Sequence, residues 1–123
     1  MDKKLIISIL IGLIIVAGLV FLVVKNTNAP EPVVNGIILF YKIGCPHCEK
    51  VDEFLTAKKV AEKVQFAKRE VSLNRSNAEL LLAKAQVCGL PTDNLGVPFL
   101  WDGSACYEGD QDIINFFQQK IGA

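Results

Sequence analysis

Residues 36–48 combine an apolar run with a pair of cysteines and read Gly36-Ile37-Ile38-Leu39-Phe40-Tyr41-Lys42-Ile43-Gly44-Cys45-Pro46-His47-Cys48. The continuous apolar run from Gly36 to Tyr41 is typical of a central strand that is buried on both faces. Cys45 then begins a predicted helix, and Pro46 takes its first position, where a missing N–H costs nothing. We therefore expect a pair of cysteines where a buried strand gives way to a helix.

This placement favours thiol–disulfide exchange, which needs a thiolate attacker, a second thiol nearby and a means of stabilising the thiolate. The free N–H groups and positive dipole of a helix start favour the thiolate of Cys45. Cys48 lies one turn further in and is expected to be the more buried, resolving thiol. Pro46 and His47 lie between them, where the imidazole would stabilise the Cys45 thiolate and make the disulfide a stronger oxidant. The alternative for His47 is a solvated side chain without effect.

Two other interpretations of the cysteine pair are half of a zinc site and a purely structural bridge. Zinc sites usually show a second Cys-x-x-Cys or a downstream histidine pair. Here Cys88 and Cys106 stand singly, and the one histidine lies inside the motif. A bridge across so few residues constrains little chain entropy. We therefore predict no metal and a redox-active pair.

The rest of the chain predicts the order strand, helix, strand, helix, strand, strand, helix. Ser76 and Glu79 form a capping-box pattern before an apolar-periodic helix that Gly89 ends. Asp102-Gly103 is a hairpin signal, and Asp110 is expected to cap the last helix. The later strands are predicted at 64–71, 97–101 and 105–107. This order predicts an α/β fold, βαβαββα, with a mixed four-stranded sheet and helices on both faces.

The N-terminal segment is a candidate membrane anchor. Leu5–Val24 is almost uninterrupted apolar sequence, and about 20 helical residues span the roughly 30 Å hydrocarbon core. A cleaved signal peptide and a buried core helix are the alternatives. The run exceeds the usual signal core of about 7–15 residues, and Pro30 would disfavour cleavage after Ala29.

Charge near this segment predicts its orientation. Lys3 and Lys4 precede the span and only Lys25 follows it closely, which favours a cytoplasmic N-terminus and a domain outside the cytoplasm. The predicted organisation is an anchor at 1–25, an extended linker at 26–35 and one domain at 36–123. With 13 basic and 13 acidic residues and no basic cluster, nucleic-acid binding has no electrostatic support.

In combination, these features resemble the thioredoxin superfamily, and the closer resemblance is to glutaredoxins. Glutaredoxins carry a strand, Lys-x-x-Cys-Pro-x-Cys, a Val-Pro strand, and a glycine-acidic segment that opens the last helix. The corresponding stretches here, within Gly36 to Ala123, are Lys42-Ile43-Gly44-Cys45-Pro46-His47-Cys48, Val97-Pro98-Phe99 and Glu108-Gly109-Asp110-Gln111-Asp112. The Pro-His dipeptide is the one found in DsbA-like oxidases, although their large helical insertion is missing.

The resemblance implies roles for residues outside the cysteine motif. Pro98 would be cis and lie beside Cys45, and Val97 would offer backbone hydrogen bonds to a bound peptide or glutathione. Lys42 would contact a carboxylate of glutathione. The alternative interpretation of Lys42 is a solvated side chain at the end of a strand. The family's paired glycine is Glu108-Gly109 here, a departure that argues against glutathione. The buried aspartate of thioredoxins would fall at Leu39, so we expect no proton-shuttling carboxylate, as in glutaredoxins.

The remaining two cysteines are expected to pair. An even cysteine count outside the cytoplasm favours a disulfide between Cys88 and Cys106, which would close a loop of roughly 19 residues and contribute around 3 kcal/mol. Two buried free thiols and a second redox relay are the alternatives.

These features predict a thiol–disulfide oxidoreductase acting on protein thiols and disulfides outside the cytoplasm. No resident cofactor is expected. The predicted partners are protein substrates, the lipid bilayer around Leu5–Val24, and a redox partner that could itself be membrane-embedded. One alternative is a glutathione-dependent glutaredoxin-type reductase, with glutathione as co-substrate. The other is a membrane-tethered metal-binding thiol protein.

Overall fold

The structure is a computed structural model that describes residues 2–27 and 36–122. The chain divides into two compact units, Met1–Val33 and Val34–Ala123. The first contains the helix α1 (Lys3–Thr27). Its stretch Lys3–Leu22 is long and apolar enough to cross a membrane, and none of it is buried within the protein.

α1 continues beyond the predicted end of the anchor. The linker was expected to begin at residue 26, but the helix includes Asn26 and Thr27. No proline occurs before Pro30, so nothing in the backbone forces the helix to end at Lys25. The rest of the predicted linker, 28–35, lies outside the described residues.

The second unit alternates strands and helices around one sheet. Its elements are β1 (Ile37–Tyr41), α2 (Pro46–Ala57), a 3-10 helix (Val60–Glu62), β2 (Phe66–Glu70), α3 (Arg75–Val87), β3 (Phe99–Trp101), β4 (Cys106–Glu108) and α4 (Asp110–Ile121). The strand order is β2-β1-β3-β4, with β2 parallel to β1 and both β3 and β4 antiparallel to their neighbours. The predicted mixed four-stranded α/β fold is confirmed.

The central strand β1 is buried on both sides, as its continuous apolar run predicts. Successive side chains point to opposite faces, so Leu39 enters one core and Ile38 and Phe40 enter the other. Helices α2 and α4 cover the Leu39 face, and α3 covers the opposite face. The first core holds Leu39, Val51, Leu55, Val60, Leu100, Ile113, Phe116 and Phe117; the second holds Ile38, Phe40, Leu81, Ala85, Phe99 and Trp101.

The predicted capping box at Ser76 is wrong. Asn74 caps α3, because its Oδ1 accepts the N–H of Asn77 at 3.1 Å. The Asn77 side chain donates in turn to the Glu70 carbonyl at 2.9 Å, which ties the helix start to the end of β2. Glu79 pairs with Arg75 instead of closing a capping box. The predicted stop at Gly89 is confirmed: its φ of 70° follows the cap residue directly.

Asp110 does not cap the last helix. Gly109 takes the cap position with a φ of 85°, and Asp110 is the first helical residue. The strands are also shorter than predicted. β2 begins at Phe66 instead of Val64, because the 3-10 helix comes before it and the Val64 N–H donates to the Val60 carbonyl at 2.8 Å. β3 begins after Pro98, which has no N–H to donate to a neighbouring strand. β4 is shifted by one residue, to Cys106–Glu108.

Candidate active site

Cys45 is placed at the N-terminus of α2 by the residues on either side of it. Gly44, with a φ of 75°, turns the chain after β1. Cys45 is the cap residue, and Pro46 occupies the first helical turn. The Cys45 sulfur accepts the N–H of Cys48, with 3.2 Å between sulfur and nitrogen. A sulfur in this position receives an unpaired helix N–H, which is the interaction that stabilises a thiolate.

The two cysteines of the motif are about equally buried, so the expected difference in burial is absent. Both thiols are free, and 8% of Cys45 and 7% of Cys48 are exposed. Burial, with a hydrogen bond to Cys45 as the second cause, raises the pKa of Cys48 to about 11. Cys48 therefore stays a protonated thiol at neutral pH.

The Val97–Pro98 segment lies against the cysteine pair. The Val97–Pro98 peptide bond is cis. The Cys45 thiol donates to the Val97 carbonyl, with 3.8 Å between sulfur and oxygen. The Pro98 carbonyl accepts the N–H of Gly109 at 3.1 Å, so the segment is also tied to the start of α4. The geometry that the resemblance implies for this segment is present.

His47 contacts a carboxylate from another element. Its Nδ1 lies 3.0 Å from Oδ2 of Asp110, and the Lys50 ammonium lies 3.6 Å from the same oxygen. The hydrogen bond with His47 lowers the pKa of Asp110, so the carboxyl is ionised at neutral pH. Sequence reasoning placed His47 beside the Cys45 sulfur and assigned Asp110 only to capping, and so missed this pair.

A cavity of about 210 Å³ opens beside Cys48. Lys42 and Pro98 line it together with Cys48, as do Asp52 and Lys68, which form an ion pair with each other. The predicted residues Lys42 and Pro98 thus line the same cavity as Cys48. The sequence does not predict the pairing of Asp52 with Lys68, because Asp52 lies on α2 and Lys68 on β2 and local patterns do not show which elements meet.

Glu70 holds the turn that follows β2. Its carboxylate accepts hydrogen bonds from the Ser72 hydroxyl and from the N–H of Leu73 at 2.8 Å. The Ser72 side chain lowers the pKa of Glu70 despite the opposing effect of burial, and the N–H groups of Leu73, Ser72 and Ile43 add to the lowering. Glu70 therefore stabilises the turn that follows β2.

Cys88 and Cys106 form a disulfide with a Cα–Cα distance of 6.2 Å. It links the end of α3 to β4 and contacts the core cluster around Ile38 and Phe40. The pairing expected from the sequence is therefore present. Among residues 2–27 and 36–122, no group of three or more histidine, cysteine, aspartate or glutamate side chains is arranged to hold a metal ion.

The four-stranded sheet with helices on both faces is a thioredoxin-like fold, and it carries a Cys-x-x-Cys pair at a helix start. The structure resembles the crystal structure of the glutaredoxin (grx-1) from Archaeoglobus fulgidus, with a TM-score of 0.53 and 16% sequence identity. The likeness covers 78% of this chain and 100% of that chain, and at this identity it concerns the fold. No protein-family model and no curated protein sequence matches the chain.

Proposed function

We propose that this chain is a membrane-anchored thiol–disulfide oxidoreductase that acts on protein thiols and disulfides outside the cytoplasm. The observation that carries the proposal is the difference between the two cysteines of one motif. The Cys45 sulfur accepts a helix N–H at 3.2 Å, whereas burial raises the pKa of Cys48 to about 11. One sulfur is therefore prepared to attack and the other to resolve.

In the reducing direction, the Cys45 thiolate attacks one sulfur of a substrate disulfide. A Cys45–substrate disulfide forms, and the other substrate sulfur leaves as a thiolate and takes up a proton. Cys48 then loses its proton and attacks the Cys45 sulfur, which forms the Cys45–Cys48 disulfide and releases the second substrate thiolate. Two electrons pass from the cysteine pair to the substrate. The oxidising direction is the reverse sequence, and a redox partner, which could be membrane-embedded, restores the pair in either case.

Substrate peptides are proposed to bind along the Val97–Pro98 segment. The Val97 carbonyl lies 3.8 Å from the Cys45 sulfur, so an extended peptide that bonds to Val97 would bring its own sulfur close to Cys45. Pro98 is buried, and its carbonyl already accepts the N–H of Gly109. The segment is therefore held in place before substrate arrives, which reduces the ordering cost of binding.

The anchor and the side of the membrane are part of the same proposal. α1 supports the anchor by its length and composition. Lys3 and Lys4 before the span and Lys25 after it favour an external domain. A disulfide between Cys88 and Cys106 is in keeping with an oxidising compartment.

Two measurements test this function. Insulin-disulfide turnover in the presence of a reductant should require Cys45, so Cys45→Ser should abolish it while Asp93→Asn, which changes an exposed loop, should not. Equilibration of the Cys45–Cys48 pair against glutathione buffers gives its potential. Known potentials in this superfamily range from about −270 to −120 mV. A value near the upper end supports a dithiol oxidase, and one near the lower end supports a reductase.

A glutathione-dependent reductase is the second candidate, and Lys42 favours it. Lys42 lines the same cavity as Cys48 and Pro98, where an ammonium could bind a glutathione carboxylate. If glutathione is the co-substrate, Lys42→Ala should raise the KM for a glutathionylated substrate several-fold, and Lys58→Ala, at the end of α2, should not. Stoichiometric retention of zinc or copper by the reduced protein, with no disulfide turnover, would instead support the metal-binding alternative.

A further inference from the structure

Asp110 forms a hydrogen bond with His47 across two helices. His47 is the second residue of α2, and Asp110 is the first residue of α4, 63 positions later. Their side chains meet with 3.0 Å between Nδ1 and Oδ2. The other carboxylate oxygen of Asp110 accepts the N–H of Gln111 at 2.8 Å, which fixes the carboxylate on the first turn of α4.

The partner of the His47 ring differs from the one that the motif alone predicts. Among the residues that the structure describes, the ring is bonded to Asp110 and not to the Cys45 sulfur. The hydrogen-bond partners of that sulfur are the Cys48 N–H, the Val97 carbonyl and the Cys48 thiol. The imidazole is therefore held by α4, although it belongs to the helix whose start carries the reactive cysteine.

We propose that Asp110 is a positioning residue that holds His47 away from the Cys45 thiolate and offsets its charge, so that the Cys45–Cys48 disulfide is a weaker oxidant than its Pro-His dipeptide predicts. This inference rests on the proposed function. It deepens that function by adding a residue that sets the redox equilibrium of the pair.

Two effects of the Asp110 carboxylate act in the same direction. Because a carboxylate only accepts hydrogen bonds, Nδ1 of His47 must carry the proton that joins them, and the ring is no longer free to donate that proton to Cys45. The negative charge beside His47 also cancels much of the field that an imidazolium would exert on the sulfur. Both effects make the thiolate less stable and favour the disulfide.

The position of the carboxylate is itself determined by the active site. The N–H of Gly109 donates to the Pro98 carbonyl at 3.1 Å, so the residue before Asp110 is tied to the segment that contacts Cys45. Asp110 is the more buried partner, with 23% of its side chain exposed against 65% for His47. The Lys50 ammonium lies 3.6 Å from the same oxygen and also faces the carboxylate.

The test compares redox equilibria of full-length protein in detergent at pH 7. We expect Asp110→Asn to shift the equilibrium constant with glutathione roughly tenfold toward reduced protein, which corresponds to a potential about 30 mV higher. Asp112→Asn removes the same charge from the same helical turn and should shift it less than threefold. In a His47→Phe background, Asp110→Asn should have no more effect than Asp112→Asn.

A second readout follows the ring directly. His47 is the one histidine of the chain, so its ring nitrogens give a single set of ¹⁵N NMR signals. The wild type should show a protonated Nδ1, and Asp110→Asn should shift the proton toward Nε2. A wild-type ring protonated on Nε2 alone, or an Asp110→Asn equilibrium within threefold of the Asp112→Asn control, would overturn the proposal. The NMR signals do not depend on redox activity, so a pair that fails to exchange with glutathione refutes the proposed function separately.

Discussion

The Cys45 sulfur accepts the backbone N–H of Cys48 at 3.2 Å, so the proposed nucleophile is also the side chain that caps α2. One atom serves the fold and the chemistry, because the N–H groups at a helix start need an acceptor and a thiolate needs donors. Substitutions of Cys45 therefore separate these two functions.

Serine should replace Cys45 as a cap but not as a nucleophile. We expect Cys45→Ser to leave the free energy of unfolding within about 0.5 kcal/mol of wild type, and Cys45→Ala to lower it by about 1 kcal/mol, since alanine has no acceptor for the helix N–H. Both should be inactive. Urea unfolding followed by the fluorescence of Trp101, the one tryptophan, measures the difference. Equal stability of the two variants would show that the sulfur does not act as a cap.

The two thiols should differ in their pH dependence of alkylation. Because burial raises the pKa of Cys48 to about 11 from the ordinary 9.0, its reaction with iodoacetamide should keep increasing up to about pH 11. Cys45 should react first at neutral pH. Peptide mass mapping under single-modification conditions gives both rates. A Cys48 rate that levels off near pH 9 would contradict the asymmetry on which the proposed function rests.

The disulfide between Cys88 and Cys106 should stabilise the domain without taking part in exchange. Its cysteines are 18 positions apart, and closing a loop of that size contributes about 3 kcal/mol in the chain-entropy model. We expect the double variant Cys88→Ala, Cys106→Ala to lose about this free energy of unfolding and to keep insulin turnover at temperatures where it is folded. Loss of turnover in a folded double variant would indicate the redox relay instead.

α1 should hold the protein in the membrane. We expect the full chain to remain in the pellet after alkaline carbonate extraction, and Leu13→Arg to weaken insertion, because a charge at the centre of a span costs about 2.5–3.5 kcal/mol. Leu73→Arg, an exposed position in the second unit, is the matched control. Protease added outside intact cells should digest the domain. Protection from external protease, with digestion only after lysis, would reverse the proposed orientation.

Much of the fold follows from local patterns. The apolar run of β1, the proline after Cys45 and the glycine at 89 each act on their immediate neighbours, and these predictions are confirmed by the helix and strand positions. The capping of α3 was predicted at the wrong residue because Asn74 and Ser76 are both good cap residues. Only the tertiary bond from Asn77 to the Glu70 carbonyl distinguishes them.

The contacts that shape the active site are less local. His47 and Asp110 are 63 positions apart, and Asp52 and Lys68 are 16 apart. Hydrophobic periodicity and motif spacing describe neighbours along one element, so they give no information about which polar side chains meet across two elements. Resemblance placed Val97 and Pro98 beside Cys45, but it gave no partner for a histidine that glutaredoxin motifs do not specify.

Trapping of the mixed disulfide distinguishes Cys45 from Cys48 as the nucleophile. Cys48→Ser should form a disulfide between Cys45 and a substrate protein and be unable to release it, so a mixed-disulfide species should accumulate on non-reducing gels and disappear with reductant. Cys45→Ser should form none. We predict that mass mapping finds the substrate on Cys45. Equal trapping by Cys45→Ser through Cys48, or no trapped species with either variant, would contradict it.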